Sequence, residues 1–316
     1  MPSILTHFYF AEDFLVSHQG DNNFLTKYKD AFRIGSQGPD PLFYIGTLPK
    51  RGLDVSLINK RIGSQLHRNS FDRLMNLMCQ ELGTINLEYE RGVFQAFILG
   101  QLAHYLLDST AHPYVYYWSG FSEDGYLHGA YHYSHAHFEG RIDSCLSKVR
   151  AREDMVKKPY LALDISDEQL DIISENFSSV LNLYFKLKLK PNAYKKAVLN
   201  MKDLYRYIHS GTKARKLMLG RSGLGQLRIP KESSSTCLNN GHMKWKESSS
   251  GKERKDDFNE LFNQAKLKFE KAYRLLLSDG FSEASINNLA GDTDYNGVKK
   301  GEKNIFQDTS KVLSDD

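Results

Sequence analysis

The sequence predicts an all-α fold, a multi-helix bundle, on three observations. Apolar residues recur at helical spacing along most of the chain, strand-like alternation is almost absent, and 41% hydrophobic content in 316 residues suffices for a substantial core. A polar, Ser-, Gly- and Lys-rich stretch late in the chain interrupts the pattern without ending it.

Taken in order, Thr6 is placed to cap a first helix over Phe8 to Val16, and helical spacing then runs through Leu57 to Leu82 and Val93 to Ala111. Pro113 should stop that third segment, and the pattern returns over His128 to Val149. Ser166 with Glu168 and Gln169 opens a helix toward Leu189, Pro191 breaks it, and Tyr194 to Ile208 resumes it. About seven to nine helices are expected to pack as one bundle. Residues 1–220 form the helical domain in this reading, and 221–255 a flexible basic insertion rich in Gly, Ser and Lys. Residues 256–279 form a helix packing back on the bundle, and 280–316 a polar tail.

The formal charge of +4 is too small to argue for nucleic acid or a membrane by itself. A basic excess from Lys186 to Lys255, with Trp245 between two lysines, fits either a solvated linker or peripheral contact with an anionic membrane surface. Cys79, Cys145 and Cys237 stand far apart and are read as reduced thiols. The first twenty residues carry His7, Glu12, Asp13 and His18 and lack an apolar signal stretch, and no run of about 18 apolar residues occurs. A cytoplasmic location is the expectation.

The chemistry concentrates in GQLAHYLLDSTAHPY, where His104, Asp108 and His112 are four residues apart and advance only about 40° each around a helix. They share one face of an otherwise apolar segment. An unpaired buried carboxylate is costly, and a metal ion satisfies Asp and two His together. A core histidine and an Asp–Arg pair would explain any single member; the triplet makes that explanation weaker. His135 and Glu139 in YHYSHAHFEGRID repeat the spacing, as a chelating pair or as a solvated one. His7, Asp40 between Pro39 and Pro41, and His67 are further candidates, with His18 the rival of His67. Asp143 is a candidate to orient a ligand histidine.

These segments together, THFYF, GPDP, HYLLDSTAHPY and HAHFEGRID, resemble in content and order the zinc-dependent phospholipase C family. That grouping includes the metal domain of glycosylphosphatidylinositol-specific phospholipase D and the fungal single-strand nucleases. The resemblance implies a helical fold holding about three zinc ions. His104, Asp40 and His67 would bind one, with Asp108 bridging to a second held by His7 and the amino terminus. Removal of the initiator Met would make Pro2 that terminal ligand, through an amine whose ordinary pKa of about 8 permits deprotonation. His112, His135 and Glu139 would hold the third. Unlike bacterial phospholipases C, whose third histidine follows the proline, His112 precedes Pro113, as in the phospholipase D relatives.

A zinc cluster activates water and polarises a phosphoryl oxygen, and Asp40 would serve as ligand and proton acceptor in phosphoester hydrolysis. Phe43, Tyr44 and Tyr116 are candidates to contact a choline head group or a stacked base, or else to be core. The favoured substrate is a phospholipid. A nuclease or nucleotidase using the same metals, and a zinc-binding scaffold without turnover, are the alternatives. No sequence signal points to a specific nucleic acid.

Overall fold

A computed structural model describes residues 4–18, 24–210, 227–231, 234–281 and 293–308. Among these the structure is helical apart from one two-stranded antiparallel sheet, as the periodicity requires. The helices are α1 (Ile4–Ser17), α2 (Phe24–Lys27), α3 (Lys29–Gly35), α4 (Val55–Lys60), α5 (Ile62–His67), α6 (Phe71–Thr84) and α7 (Glu88–Ser119). Then come α8 (Ala130–Val149), α9 (Glu153–Lys157), α10 (Asp167–Phe185), α11 (Ala193–His209) and α12 (Phe258–Asp279). No helix among the described residues is long and apolar enough to cross a membrane.

Helix α7 is the axis, with α3, α12, α10, α8 and α6 packed around it. Its approach to α3 depends on small residues: a Cβ on Gly100 would fall 2.6 Å from Gly35 Cα, so any larger residue would push the two backbones apart. Burial along α7 is nearly all-round from Gly92 to Tyr116, which commits its few polar side chains to the interior.

Several local expectations are overturned. Pro113 does not end α7, which continues to Ser119. A mid-helix proline costs about 3 kcal/mol, but Tyr114, Val115 and Tyr116 on its far side are buried, and that burial outweighs the lost hydrogen bond. Gly297 packs over the break, close enough that a Cβ would meet Ser109 O at 2.6 Å and Pro113 Cγ at 2.8 Å. Thr6 lies inside α1 rather than capping it. The cap comes from α8: Asp143 accepts from Leu5 N (3.1 Å), Thr6 N (2.7 Å) and Thr6 Oγ1 (2.7 Å), meeting the unpaired donors of the first turn with a negative charge. The stretch Leu57 to Leu82 is three helices, because Arg61 turns left-handed (φ 47°) after α4 and a further break follows His67.

The largest departure is late in the chain. The described part of the expected insertion, from residue 234, is packed: a short turn over Ser235–Leu238 precedes β1 (Trp245–Lys246), which pairs with β2 (Glu253–Arg254). Trp245 is 1% exposed, set edge-on to Tyr114 and donating from Nε1 to Asp256 O. Composition over the window concealed one anchoring indole. Likewise residues 293–308, expected as polar tail, form a strap against α7, with Tyr295, Asn296 and Asn304 buried. Tyr105 donates to Thr293 O, and Asn304 bonds Ser248 and Gly125 O.

Candidate metal centre

Four elements and the strap converge on one face of α7. His104 on that helix sets Nδ1 3.0 Å from Ser36 O, which turns Nε2 inward to 3.0 Å from Asp108 Oδ2. From α1, His7 brings Nε2 to 3.1 Å from the other oxygen of Asp108 and stacks on His104 with ring centres 4.0 Å apart. The short Asp40–Tyr44 turn, made stiff by its flanking prolines, holds Asp40 2% exposed with Oδ1 3.1 Å from His67 Nε2. His67, at the end of α5, places Nδ1 2.7 Å from Gly63 O. Its rival His18 is not in the site; it pairs with Glu270 at 2.8 Å.

A second grouping lies farther along the face. His112 sets Nδ1 2.7 Å from Tyr295 O and Nε2 3.3 Å from Glu139 Oε1. On α8, His135 reaches the same oxygen at 3.2 Å and has Nδ1 3.3 Å from Ser119 Oγ. The groupings adjoin through Asp108, whose Oδ2 is 3.7 Å from His112.

Ligand-type atoms lie within 4.8 Å of one another in three buried sets: His7, His104 and Asp108; Asp40, His67 and His104; and His112, His135 and Glu139. His104 belongs to two of them. A fourth set, His242, Asp257 and Glu260, is exposed, and its carboxylates form the capping box of α12. Pro2 lies outside the described residues. Asp143, expected to orient a ligand histidine, caps the helix that carries His7.

Tautomers decide what these sets can hold. A main-chain carbonyl only accepts, so Nδ1 of His67, His104 and His112 carries the hydrogen and each Nε2 presents a lone pair inward. Those lone pairs face carboxylate oxygens at 3.0–3.3 Å, acceptor against acceptor, unless a cation lies between. His104 Nε2, Asp40 Oδ2 and Glu139 Oε2 are buried without hydrogen-bond partners. A proton is the only cation the protein itself can supply. Burial raises the Asp108 carboxyl, but His104, His112 and His7 around it pull it well below the usual carboxylate range. Burial lowers His112, yet Asp108 and Glu139 lift it to about 9. Glu139, raised by burial, is drawn down further by His135 and His112. Carboxylates held ionised beside inward-facing imidazole nitrogens are a donor set suited to a divalent ion such as zinc.

The family model for zinc dependent phospholipase C matches residues 6–199, which span all members of the three buried sets. The chain belongs to the zinc dependent phospholipase C family. No curated protein and no solved structure matches it. The family match ends before Trp245, Tyr295 and Asn296, so the strap that orients His112 lies beyond it.

Beside these sets opens a cleft lined by Phe43, Ser64, Arg68, Tyr116, Tyr126, His132 and Asn296 with His67, His112 and His135. Phe43 and Tyr116 were expected there. Tyr44 is not: it is 4% exposed, packed inward, with its carbonyl accepting from Asn200. Larger hollows of about 620 and 630 Å³ lie elsewhere and contain no clustered ligand atoms among the described residues. Tyr295, Ser36 and Gly63 left no trace in the sequence, because each acts through its main-chain carbonyl. Arg68 and Tyr126 had a visible signal, a cation and an aromatic ring near the motif residues, that spacing alone did not single out.

Proposed function

We propose that the protein is a zinc-dependent phosphoesterase acting on phospholipids, phospholipase C-like, with about three zinc ions per chain. The observation that carries this reading is the set of bare Nε2 atoms facing ionised carboxylates in a buried face, an arrangement that needs cations. His104, Asp40 and His67 would hold one ion, His7, Asp108 and the amino-terminal Pro2 a second, and His112, His135 and Glu139 a third, with Asp108 shared between the first two. Zinc bound there supplies Lewis acidity toward a phosphoryl oxygen and lowers the pKa of a water toward neutrality.

The chain's own groups do the rest. Asp40, rigid between prolines and with Oδ2 unpartnered, is the acceptor for the proton released as water attacks phosphorus. Ser36, Gly63 and Tyr295 carbonyls keep the imidazoles in one tautomer and one orientation, so the site needs little rearrangement to receive substrate. Phe43, against the His67 ring, and Tyr116, against the His112 and His135 rings, limit water on the substrate side. Peripheral contact with a lipid surface accompanies this activity.

Metal analysis of the purified protein, together with hydrolysis of a short-chain phospholipid and of single-stranded DNA by the same preparation, tests the proposal. Close to three zinc and release of a phosphorylated head group are expected. Digestion of DNA alone would make the protein a nuclease, and zinc without turnover of either substrate would make it a scaffold.

A further inference from the structure

The cleft beside the metal centre carries a cation and no carboxylate outside the metal ligands. Arg68 follows His67 directly, lines the cleft, and holds its guanidinium over the Tyr126 ring with Cζ 4.2 Å from the ring centre. Among the described residues it has no ion-pair partner. Asp124, whose charge reaches Arg68, sits at 2.8 Å from His128 on the surface. Asp294, on the strap behind, accepts from Asn296 N, Asn296 Nδ2 and Val298 N.

Two neutral polar groups of the cleft, Tyr116 and Asn296, are already engaged. Tyr116 donates its hydroxyl to Asn296 Oδ1 at 3.1 Å, and the Asn296 amide is turned to Asp294 and to His67 O. Ser64 and His132 line the cleft as well, but the Arg68 guanidinium is the group there that offers both uncommitted donors and a full positive charge. Stacking on an aromatic face leaves the in-plane N–H groups of an arginine free to take two oxygens of an anion side by side. A quaternary ammonium needs aromatic faces and an uncancelled negative charge. Here one of the aromatic faces, Tyr126, is covered by a like charge, and Tyr44 is absent from the cleft.

We infer that Arg68 makes this cleft selective for a phosphoester whose head group carries a further anionic oxygen group, such as a second phosphate, and selective against a choline-type head. The inference rests on the phosphoesterase reading and specifies its substrate class. Arg68 is the specificity-determining residue, and Tyr126 is a positioning residue that holds the guanidinium in the cleft.

The test uses the full zinc-loaded protein and three short-chain lipids that differ only in head group: choline, glycerol and glycerol phosphate. The expected order of kcat/KM is glycerol phosphate, then glycerol, then choline. Arg68→Gln should lower the glycerol phosphate to choline ratio by about tenfold or more, through KM rather than kcat, and Arg68→Lys should restore part of it. Tyr126→Leu should lower the same ratio less. A wild type that prefers the choline lipid, or a ratio unmoved in Arg68→Gln, overturns the inference while leaving the phosphoesterase reading intact. If no lipid is hydrolysed, that reading falls, and calorimetry still decides the selectivity. Glycerol bisphosphate should then bind at least tenfold tighter than phosphocholine, and equal binding of the two overturns the inference.

Discussion

Replacing Gly38 by alanine separates a metal centre from a mere collection of imidazoles. Gly38 has φ +57°, and a Cβ there would stand 2.6 Å from His104 Nδ1 and nearer still to the ring carbons. Carbon and nitrogen need about 3.4 Å or more, so the ring must retreat by roughly 1 Å. It is confined on its other side by the His7 ring stacked at 4.0 Å. Metal–ligand bonds tolerate changes of only about 0.2 Å, so a 1 Å displacement of His104 removes it as a ligand. Since His104 belongs to two of the three buried sets and not to the third, zinc should fall from about three to about one per chain, the survivor held by His112, His135 and Glu139. The left-handed alanine and the crowding together cost about 2–4 kcal/mol, which lowers Tm by roughly 3–6 °C in a metal-free protein of this length. Zinc content by atomic absorption and thermal unfolding with chelator present measure the two effects apart. Gly241→Ala, at a position with nothing within 4 Å, is the control. Three zinc bound at wild-type affinity in Gly38→Ala would refute the reasoning, and so would loss of all three.

Other outcomes follow from the same geometry. Asp40→Asn should reduce turnover by at least about a hundredfold with the helical circular dichroism unchanged, because the side chain keeps its size and loses its charge; retained turnover would remove Asp40 from its role. Glu139→Ala should cost one zinc and leave the others, as read by metal analysis. In the metal-free protein the charged form of His112 is favoured by the fold, so its contribution to stability is complete below pH 6.5 and disappears as pH rises through about 9. Zinc has to displace that proton, so affinity at this set should climb between pH 6.5 and 9 and then level off; a flat profile from competition titrations would contradict it. Glu139 contributes in the opposite sense: its share is present above pH 4.5 and is lost as pH falls through its lowered folded value, a loss that acid unfolding of the Glu139→Gln variant should not display. Cys145 and Cys237, read from sequence as unrelated thiols, lie Sγ to Sγ at 3.4 Å, both buried. A disulfide oxidant applied during refolding should join them and leave Cys79 open to alkylation, as peptide mass mapping would reveal.

The parts legible from sequence are those written in side-chain spacing. His104, Asp108 and His112 could be placed on one helix face because four-residue steps fix that face whatever surrounds it, and His135 with Glu139 likewise. Asp40 could be singled out because two prolines leave its backbone little choice. What escaped was decided by contacts distant in sequence. Thr6 looked like a cap because the competing cap, Asp143, comes from another helix. Pro113 looked like a terminus because the buried residues beyond it, Tyr114 and Val115, outweigh the local penalty. Tyr44 stood beside the right residues and pointed the other way. The strap read as a tail because its buried anchors, Tyr295, Asn296, Val298 and Asn304, are too few and too polar to raise the apolar content of their window.

The hydrogen bond from His112 to the carbonyl of Tyr295 spans 183 positions of the chain. An imidazole that waits for so late a partner cannot settle into its final tautomer on the ribosome until most of the polypeptide has emerged. A nascent chain is therefore born with His112 unoriented, and a fragment released early or clipped before the strap would carry His112, His135 and Glu139 without the bond that fixes the first of them. The orientation of this imidazole is in this way timed by translation itself.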